Sequence, residues 1–147
     1  MNKTHSLEPI EIALPVHLAV GKKKLSIVAI VDTGASSTAI DYDIAKKLGM
    51  KIQKKGHAGL VRGLITVYRG KIDSLSFTSG GGGLCKVGPI RIDIARFGHG
   101  LNMLIGSDIL NLLNAKINFT KNDVFMRCSN PDDLVSTLAL GRFLGAW

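Results

Sequence analysis

The segment of the chain best suited to chemistry is Asp32-Thr33-Gly34, which follows an apolar run that ends at Val31. A carboxylate beside a buried strand is costly to charge, so it requires a partner or a proton. Gly34 allows a sharp backbone turn and leaves room for a ligand, and Thr33 can fix that turn by a hydrogen bond. An ordinary turn between two strands is the alternative interpretation of the same residues.

Two strands and a helix are predicted around this segment. Apolar residues alternate with other residues along 10–20, which is the period of a strand with one buried face. Residues 25–31 are apolar on both faces, and the polar turn between the two stretches predicts an antiparallel hairpin. The Asp-Thr-Gly segment would then lie at the mouth of the core. Asp41 is a predicted cap of a short helix, with Gly49 as its left-handed end.

The remainder of the chain is predicted to be mainly short strands joined by turns. Residues 90–94 alternate isoleucine with charged residues, which indicates a half-exposed strand, and 107–113 have the pattern of a second short helix. Short strands at regular spacing favour a small β-barrel or sandwich in one domain. Further predicted elements are strands at 64–68 and 71–77 around an Arg69-Gly70 turn, a glycine-rich loop at 79–83, a hairpin of 115–119 with 123–126, and a helical pattern at 131–147.

Two motifs resemble those of retropepsin-like aspartic proteases. Asp32-Thr33-Gly34-Ala35 is similar to the active-site loop of that family, and residues 104–110 are similar to its apolar-apolar-Gly-x-Asp/Asn-x-Leu segment. The order and separation of the motifs fit one such domain over about 10–126. The resemblance implies a mainly-β fold, a small closed β-barrel with one or two short helices and a flap hairpin. The domain would span 1–128, and a tail of 129–147 would include the predicted helix.

The resemblance implies a symmetric homodimer, because the chain carries one Asp-Thr-Gly and the family's chemistry needs two carboxylates. Two carboxylates about 3 Å apart share one proton, and aspartic proteases are the standard example of such a pair. The charged one would activate a water that attacks a peptide carbonyl, while the protonated one bonds to the carbonyl oxygen. Asp32, Thr33 and Gly34 are thus the predicted catalytic residues, with Thr33 joining the two loops across the two-fold axis.

The residues around the substrate also come from the resemblance. A flap at about 57–68, with its tip at 59–63, would close over an extended peptide and exclude water. Asp108 would be a buried carboxylate that bonds to backbone amides, although an ordinary first-turn carboxylate explains it equally well. The resulting assignments are Ala35, Val61, Arg62, Gly63 and Ile105 for substrate binding, and Gly106 and Asp108 for structural support.

The chain departs from the family in ways that keep a second function open. Its flap has no double glycine, the four glycines of 80–83 resemble an insertion, and Ser107 replaces an arginine common in viral members. A retropepsin-like fold used only for binding or dimerisation is therefore the alternative to an endopeptidase. The intact Asp-Thr-Gly favours the enzyme, because a binding module has no need of an acid there.

Composition and charge limit the classes of partner and cofactor that we expect. The chain has 147 residues and a formal charge of +8, but its lysines lie in turns and on one helix without interleaved aromatics, so a nucleic-acid partner is not expected. The scattered histidines and the glycine run fit neither a metal site nor a phosphate loop, so no cofactor is expected. The apolar runs are too short for a membrane helix or a secretory signal, which predicts a cytoplasmic protein. In that compartment Cys85 and Cys128 are expected to be reduced thiols, and a disulfide between them is the alternative.

Overall fold

The computed structural model describes residues 11–60, 63–78, 83–98, 100–128 and 133–135. These ranges contain twelve strands and two short helices. The strands are β1 (Ala13–Val20), β2 (Lys23–Val31), β3 (Ala39–Asp41), β4 (Gln53–Leu60), β5 (Gly63–Ile72), β6 (Ser74–Thr78), β7 (Leu84–Val87), β8 (Ile90–Ala95), β9 (Met103–Ile105), β10 (Lys116–Asn118), β11 (Asp123–Met126) and β12 (Asp133–Val135). The helices are α1 (Tyr42–Lys47) and α2 (Ser107–Leu112).

Nine of these strands form one sheet in the order β4-β5-β8-β3-β9-β2-β1-β6-β7. Most neighbours are antiparallel, but β2 with β9 and β3 with β8 are parallel pairs. The prediction of a mainly-β fold with one or two short helices is therefore confirmed. No pairing between the edge strands β4 and β7 is present in the described part of the chain, so closure into a barrel stays a prediction.

The predicted hairpin of the first two strands is confirmed. β1 and β2 pair antiparallel from Ala13 with Ile30 to Val20 with Lys23. Alternate residues of β1 are buried in the apolar core, and the last three residues of β2 are buried as well. Because the core ends at Val31, the residue that follows lies at its boundary.

Helix α1 begins and ends as its sequence predicts. The Asp41 carboxylate accepts a hydrogen bond from the Asp43 amide (3.1 Å), and Gly49 adopts a φ of +71° after the helix. The other Asp41 oxygen accepts from the Phe97 amide (3.1 Å). Helix capping and attachment to the segment after β8 therefore both use this carboxylate.

The predicted turn at Arg69-Gly70 is wrong, because β5 continues through both residues. The chain instead reverses at Asp73, between β5 and β6. A Cβ at Gly70 would lie 2.8 Å from Met50 Cε and 2.9 Å from Ile94 Cδ1. Glycine at this position allows close packing against the core rather than a reversal of direction.

A second, three-stranded sheet has the order β10-β11-β12. Its first two strands confirm the hairpin predicted there. The third strand, Asp133–Val135, pairs with β11, and Val135 is buried. These three residues are therefore extended and not part of the predicted tail helix, while residues 136–147 lie outside the described residues.

The prediction of two reduced thiols is also wrong, because Cys85 and Cys128 form a disulfide. Cys85 is on β7, at the edge of the large sheet, and Cys128 follows β11 of the small one. Their Cα atoms are 4.9 Å apart, within the range that a disulfide requires. The bond therefore joins the two sheets, and the two cysteines are 43 positions apart in the sequence, with no local sign that they pair.

Candidate active site

The candidate active site begins where β2 leaves the core. The Asp32 amide donates to the carbonyl oxygen of Ile105 (2.9 Å), and the Val31 amide donates to that of Ile12 (2.9 Å). The first bond extends the parallel pairing of β2 with β9, in which Val31 lies opposite Ile105. The Asp32 side chain is half-buried, so its backbone is anchored in the sheet while its carboxylate reaches the surface.

The Asp32 carboxylate is oriented by the turn that follows it. Its Oδ1 accepts a hydrogen bond from the Gly34 amide (3.0 Å), and its backbone oxygen accepts from the Ala35 amide (3.1 Å). Its Oδ2 has no hydrogen-bond partner among the described residues. One oxygen is thus fixed and the other is available to a water molecule or to a second carboxyl group.

Gly106 allows the second motif to approach the Asp32 turn. The Ser107 amide donates to the Ala35 carbonyl oxygen (2.8 Å). A Cβ at Gly106 would lie 2.7 Å from the carbonyl carbon and oxygen of Ser37 and 2.9 Å from the Ala35 oxygen. Because these neighbours are backbone atoms that cannot rotate aside, a side chain at this position would push the two segments apart.

Thr38, which the sequence analysis did not single out, connects the same two segments. Its hydroxyl donates to Asp108 Oδ1 (2.7 Å) and accepts from the Gly106 amide (3.0 Å), and its amide also donates to the Asp108 carboxylate (3.0 Å). The Thr38 side chain is fully buried. The signal available in the sequence was a run of three hydroxyl residues, 36–38, directly after the Asp-Thr-Gly-Ala motif.

Asp108 makes the backbone contacts that were predicted for it, but it is not buried. Its carboxylate accepts from the Ile109 amide (2.8 Å) as well as from Thr38, while the residue as a whole is exposed. It occupies the first turn of α2, where a carboxylate also favours the helix dipole. Asp108 is therefore both a first-turn carboxylate of α2 and a hydrogen-bond partner that holds the segment after the Asp32 turn.

The remaining predicted residues lie in three different environments. Thr33 and Gly34 are exposed, and the Thr33 hydroxyl has no partner in the described ranges. Ala35 is half-buried beside them. The Ile105 side chain is fully buried in the core, which does not fit its predicted role as a pocket wall. Its contribution to the site is its backbone oxygen, because the pairing of β9 with β2 turns its side chain inward.

The predicted flap coincides with the hairpin of β4 and β5. The two strands pair antiparallel from Gln53 with Arg69 to Leu60 with Gly63, with an irregularity between Lys54 and Gly56. The predicted tip residues Val61 and Arg62 lie outside the described residues, whereas Gly63 is the first residue of β5.

Two further features bear on the class of site. Within the described ranges, no three His, Cys, Asp or Glu side chains are grouped as a metal ion would require. His17 instead contacts hydroxyls, with Nδ1 2.8 Å from Ser26 Oγ and Nε2 3.3 Å from Thr78 Oγ1. No helix of the described residues is long and apolar enough to span a membrane.

Comparison with known proteins identifies the family. The sequence model of a family described as "Aspartyl protease" matches residues 16–109, which is more than half of the chain. The chain therefore belongs to the aspartyl protease family. The resemblance to retropepsin-like aspartic proteases that the two motifs predicted is confirmed.

Solved structures agree with this assignment at the level of the fold. A retropepsin-like aspartic protease from Rickettsia conorii has a TM-score of 0.56 at 16% identity, with 88% of this chain and 85% of that chain covered. The retroviral protease-like domain of Ddi1 from Leishmania major has a TM-score of 0.52 at 13% identity, with 86% and 94% covered. No curated protein matches the sequence.

Proposed function

We propose that the chain is an aspartic endopeptidase whose active site forms between the Asp32 residues of a homodimer. The observation that carries the proposal is the hydrogen bonding of the Asp32 carboxylate. One of its oxygens is held by the Gly34 amide, and the other has no partner within the described residues. One carboxyl group cannot accept the water's proton and donate a proton to the carbonyl oxygen in the same step, so a second copy would supply the other carboxyl group.

Catalysis would proceed through one proton shared between the two carboxylates. The unprotonated Asp32 accepts a proton from a water whose oxygen attacks the peptide carbonyl carbon, and the protonated Asp32 of the second copy donates to the carbonyl oxygen. The resulting tetrahedral diol then collapses. Its C–N bond breaks, the amine nitrogen takes a proton from the first carboxyl group, and the second carboxylate recovers its proton from the diol.

The neighbouring residues would position these groups and the peptide. The exposed Thr33 hydroxyl, unpartnered within the described residues, is free to contact the equivalent loop of a second copy. Gly34 and Ala35 would border the channel, and the hairpin tip of Val61, Arg62 and Gly63 would close over an extended peptide. The hydrogen bonds of Gly106 and Asp108 would keep the Asp32 turn fixed while substrate binds.

The domain boundaries, the partners and the cellular location of the protein are predictions. We assign the protease domain to 1–128, with 129–147 as a tail, and peptide or protein substrates and a second copy as its partners. The predicted cytoplasmic location is opposed by the Cys85–Cys128 disulfide, because disulfides are rare in reducing compartments. Alkylation of the protein in intact cells, followed by mass spectrometry, tests this point, since labelled cysteines would indicate a reducing compartment.

Proteolysis of a diverse peptide pool between pH 4 and pH 7, measured by mass spectrometry, tests the proposed activity. We expect cuts by the wild type that a folded Asp32→Asn variant does not make. Activity should peak below neutral pH, because the carboxyl pair must retain one proton; a profile rising steadily through pH 9 would contradict the mechanism. A folded dimer that cuts no peptide would favour the alternative, a binding or dimerisation module.

A further inference from the structure

A cationic cavity lies at the end of the large sheet opposite to Asp32. Its volume is about 330 Å³, and it is bordered by the end of β1, the segment before β4, and parts of β5 and β8. Val20, at the turn between β1 and β2, is one of its lining residues. β2 has nine residues and spans about 30 Å from this turn to Asp32. The cavity is therefore separate from the candidate active site.

Most charged residues that line the cavity are cations. Lys51, Arg69, Lys71 and Arg91 border the cavity, and Asp73 is the one carboxylate among the described residues that line it. One Asp73 oxygen accepts a hydrogen bond from the Gly21 amide (2.6 Å), so that oxygen already has a partner in the turn between β1 and β2. The charges on the described residues leave an excess of cations at this position.

Two of the cations face each other across neighbouring strands. Lys71 of β5 lies directly opposite Arg91 of β8 in an antiparallel pair, and both side chains are exposed. Like charges at directly opposed positions destabilise a sheet. Arg69 lies opposite Asp93 and pairs with it (3.4 Å), but Lys71 and Arg91 have no such carboxylate among the described residues.

We propose that this cavity binds a compact polyanion of the phosphate class. Arg69 is paired with Asp93, so the cations without a carboxylate partner among the described residues are Lys51, Lys71 and Arg91. They exceed the charge of Asp73 and match a group with two negative charges. Arginine and lysine together supply the forked and point-charge donors that phosphate oxygens accept. The volume is that of a small-molecule site, which favours a compact ligand over an extended nucleic-acid backbone. Such a ligand would also relieve the repulsion between Lys71 and Arg91.

Calorimetric titration of the full-length protein with inorganic triphosphate tests the proposal, with ATP as a second arm. We expect saturable binding that weakens as salt is added. Lys71→Gln and Arg91→Gln should each weaken it about tenfold or more, because each removes a charged donor. Lys121→Gln, which removes the same charge from an exposed turn, should change the affinity less than about twofold. Tighter binding of ATP would identify a nucleotide as the source of the phosphates, and equal binding would identify the phosphate chain alone.

Lys71→Glu separates loss of the site from loss of the fold. It places a carboxylate opposite Arg91, so it should raise the melting temperature of the ligand-free protein while abolishing triphosphate binding. The proposal is overturned if the wild type does not bind triphosphate at low salt, or if Lys121→Gln weakens binding as much as Lys71→Gln does. Tighter binding of a single-stranded oligonucleotide, with an affinity that grows with its length, would also overturn it in favour of a nucleic-acid surface.

Discussion

The Asp32 turn and the β4–β5 hairpin are the two regions expected to meet a substrate, and they are held in opposite ways. The turn is connected to the second motif through Thr38, Gly106 and Asp108 by hydrogen bonds distributed over both segments. In the hairpin, β4 is an edge strand of the sheet, and β5 is its one strand partner among the described residues. Under the proposed function, the carboxylate would be held in place while the hairpin, which has fewer described hydrogen-bond partners, would be able to move when a peptide binds.

Glycines show the same difference between the two regions. Gly106 has no room for a side chain, because backbone atoms of Ser37 lie 2.7 Å from its would-be Cβ. Gly56, in the hairpin, has nothing within 4 Å of that position but adopts a φ of +152°. The first glycine is required by close packing between segments, whereas the second is required by its own backbone conformation.

The largest effect is expected from Asp32→Asn. The amide is isosteric and its oxygen can still accept from the Gly34 amide, so the turn should keep its conformation. Activity on peptides should fall by about a thousandfold or more, because the shared proton is lost. Melting temperature and kcat, measured on the same samples, check both halves of this prediction. A variant that retains a tenth of the wild-type activity would rule out Asp32 as the catalytic acid and base.

Removal of the disulfide tests a covalent constraint that lies outside the Asp32 turn and the β4–β5 hairpin. The Cys85→Ala, Cys128→Ala double variant should lose about 4 kcal/mol of unfolding free energy, because the bond closes a loop of 43 residues in the unfolded chain. Denaturant titration measures the loss, and a reducing agent should shift the wild type but not the variant. A loss below about 1 kcal/mol would mean that the sheets hold together without the bond.

The two glycines give a matched pair of variants. Gly106→Ala should cost about 3 kcal/mol, because the added methyl group meets backbone that cannot move aside. Gly56→Ala should cost about 1 kcal/mol, because only its backbone conformation becomes strained. Denaturant titration of both variants checks the order. Equal losses would show that the Asp32 turn is no more tightly packed than the hairpin.

A smaller loss is expected from Thr38→Val. This substitution preserves the shape but removes the hydroxyl, which leaves the buried Gly106 amide without its acceptor and should cost about 2 kcal/mol. Thr38→Ser keeps the hydroxyl and serves as the control. If the serine variant loses as much stability as the valine variant, the methyl group rather than the hydrogen bonds makes the contribution.

The sequence was informative where local geometry determines the structure. The strand before Asp32 and the cap at Asp41 depend on neighbouring residues, so periodicity and residue type were sufficient to predict both. The family motifs added the relation between Asp32 and Gly106, which lie far apart along the chain. The role of Thr38 could not be predicted, because its partner Asp108 is 70 positions away and a hydroxyl residue carries no local sign of such a partner.

Tertiary packing explains the sequence predictions that were wrong. Glycine commonly marks a turn, and this predicts one at Gly70, but the need for glycine there comes from close packing against Met50 and Ile94. The two cysteines lie on elements of different sheets, and only the complete fold brings their Cα atoms to 4.9 Å. Leu134 belongs to the helical spacing seen at 131–147, but it lies in a strand that pairs with β11.

The most direct test of the central claim, that one active site requires two copies of Asp32, is subunit mixing. Wild-type protein at constant concentration is equilibrated with increasing amounts of Asp32→Asn, and peptide cleavage is measured, with an inert protein added in parallel as the control. Because mixed dimers contain only one aspartate, activity per wild-type chain should fall to about half at equal amounts and continue to fall with excess variant. Activity that does not respond to the added variant would contradict the shared site.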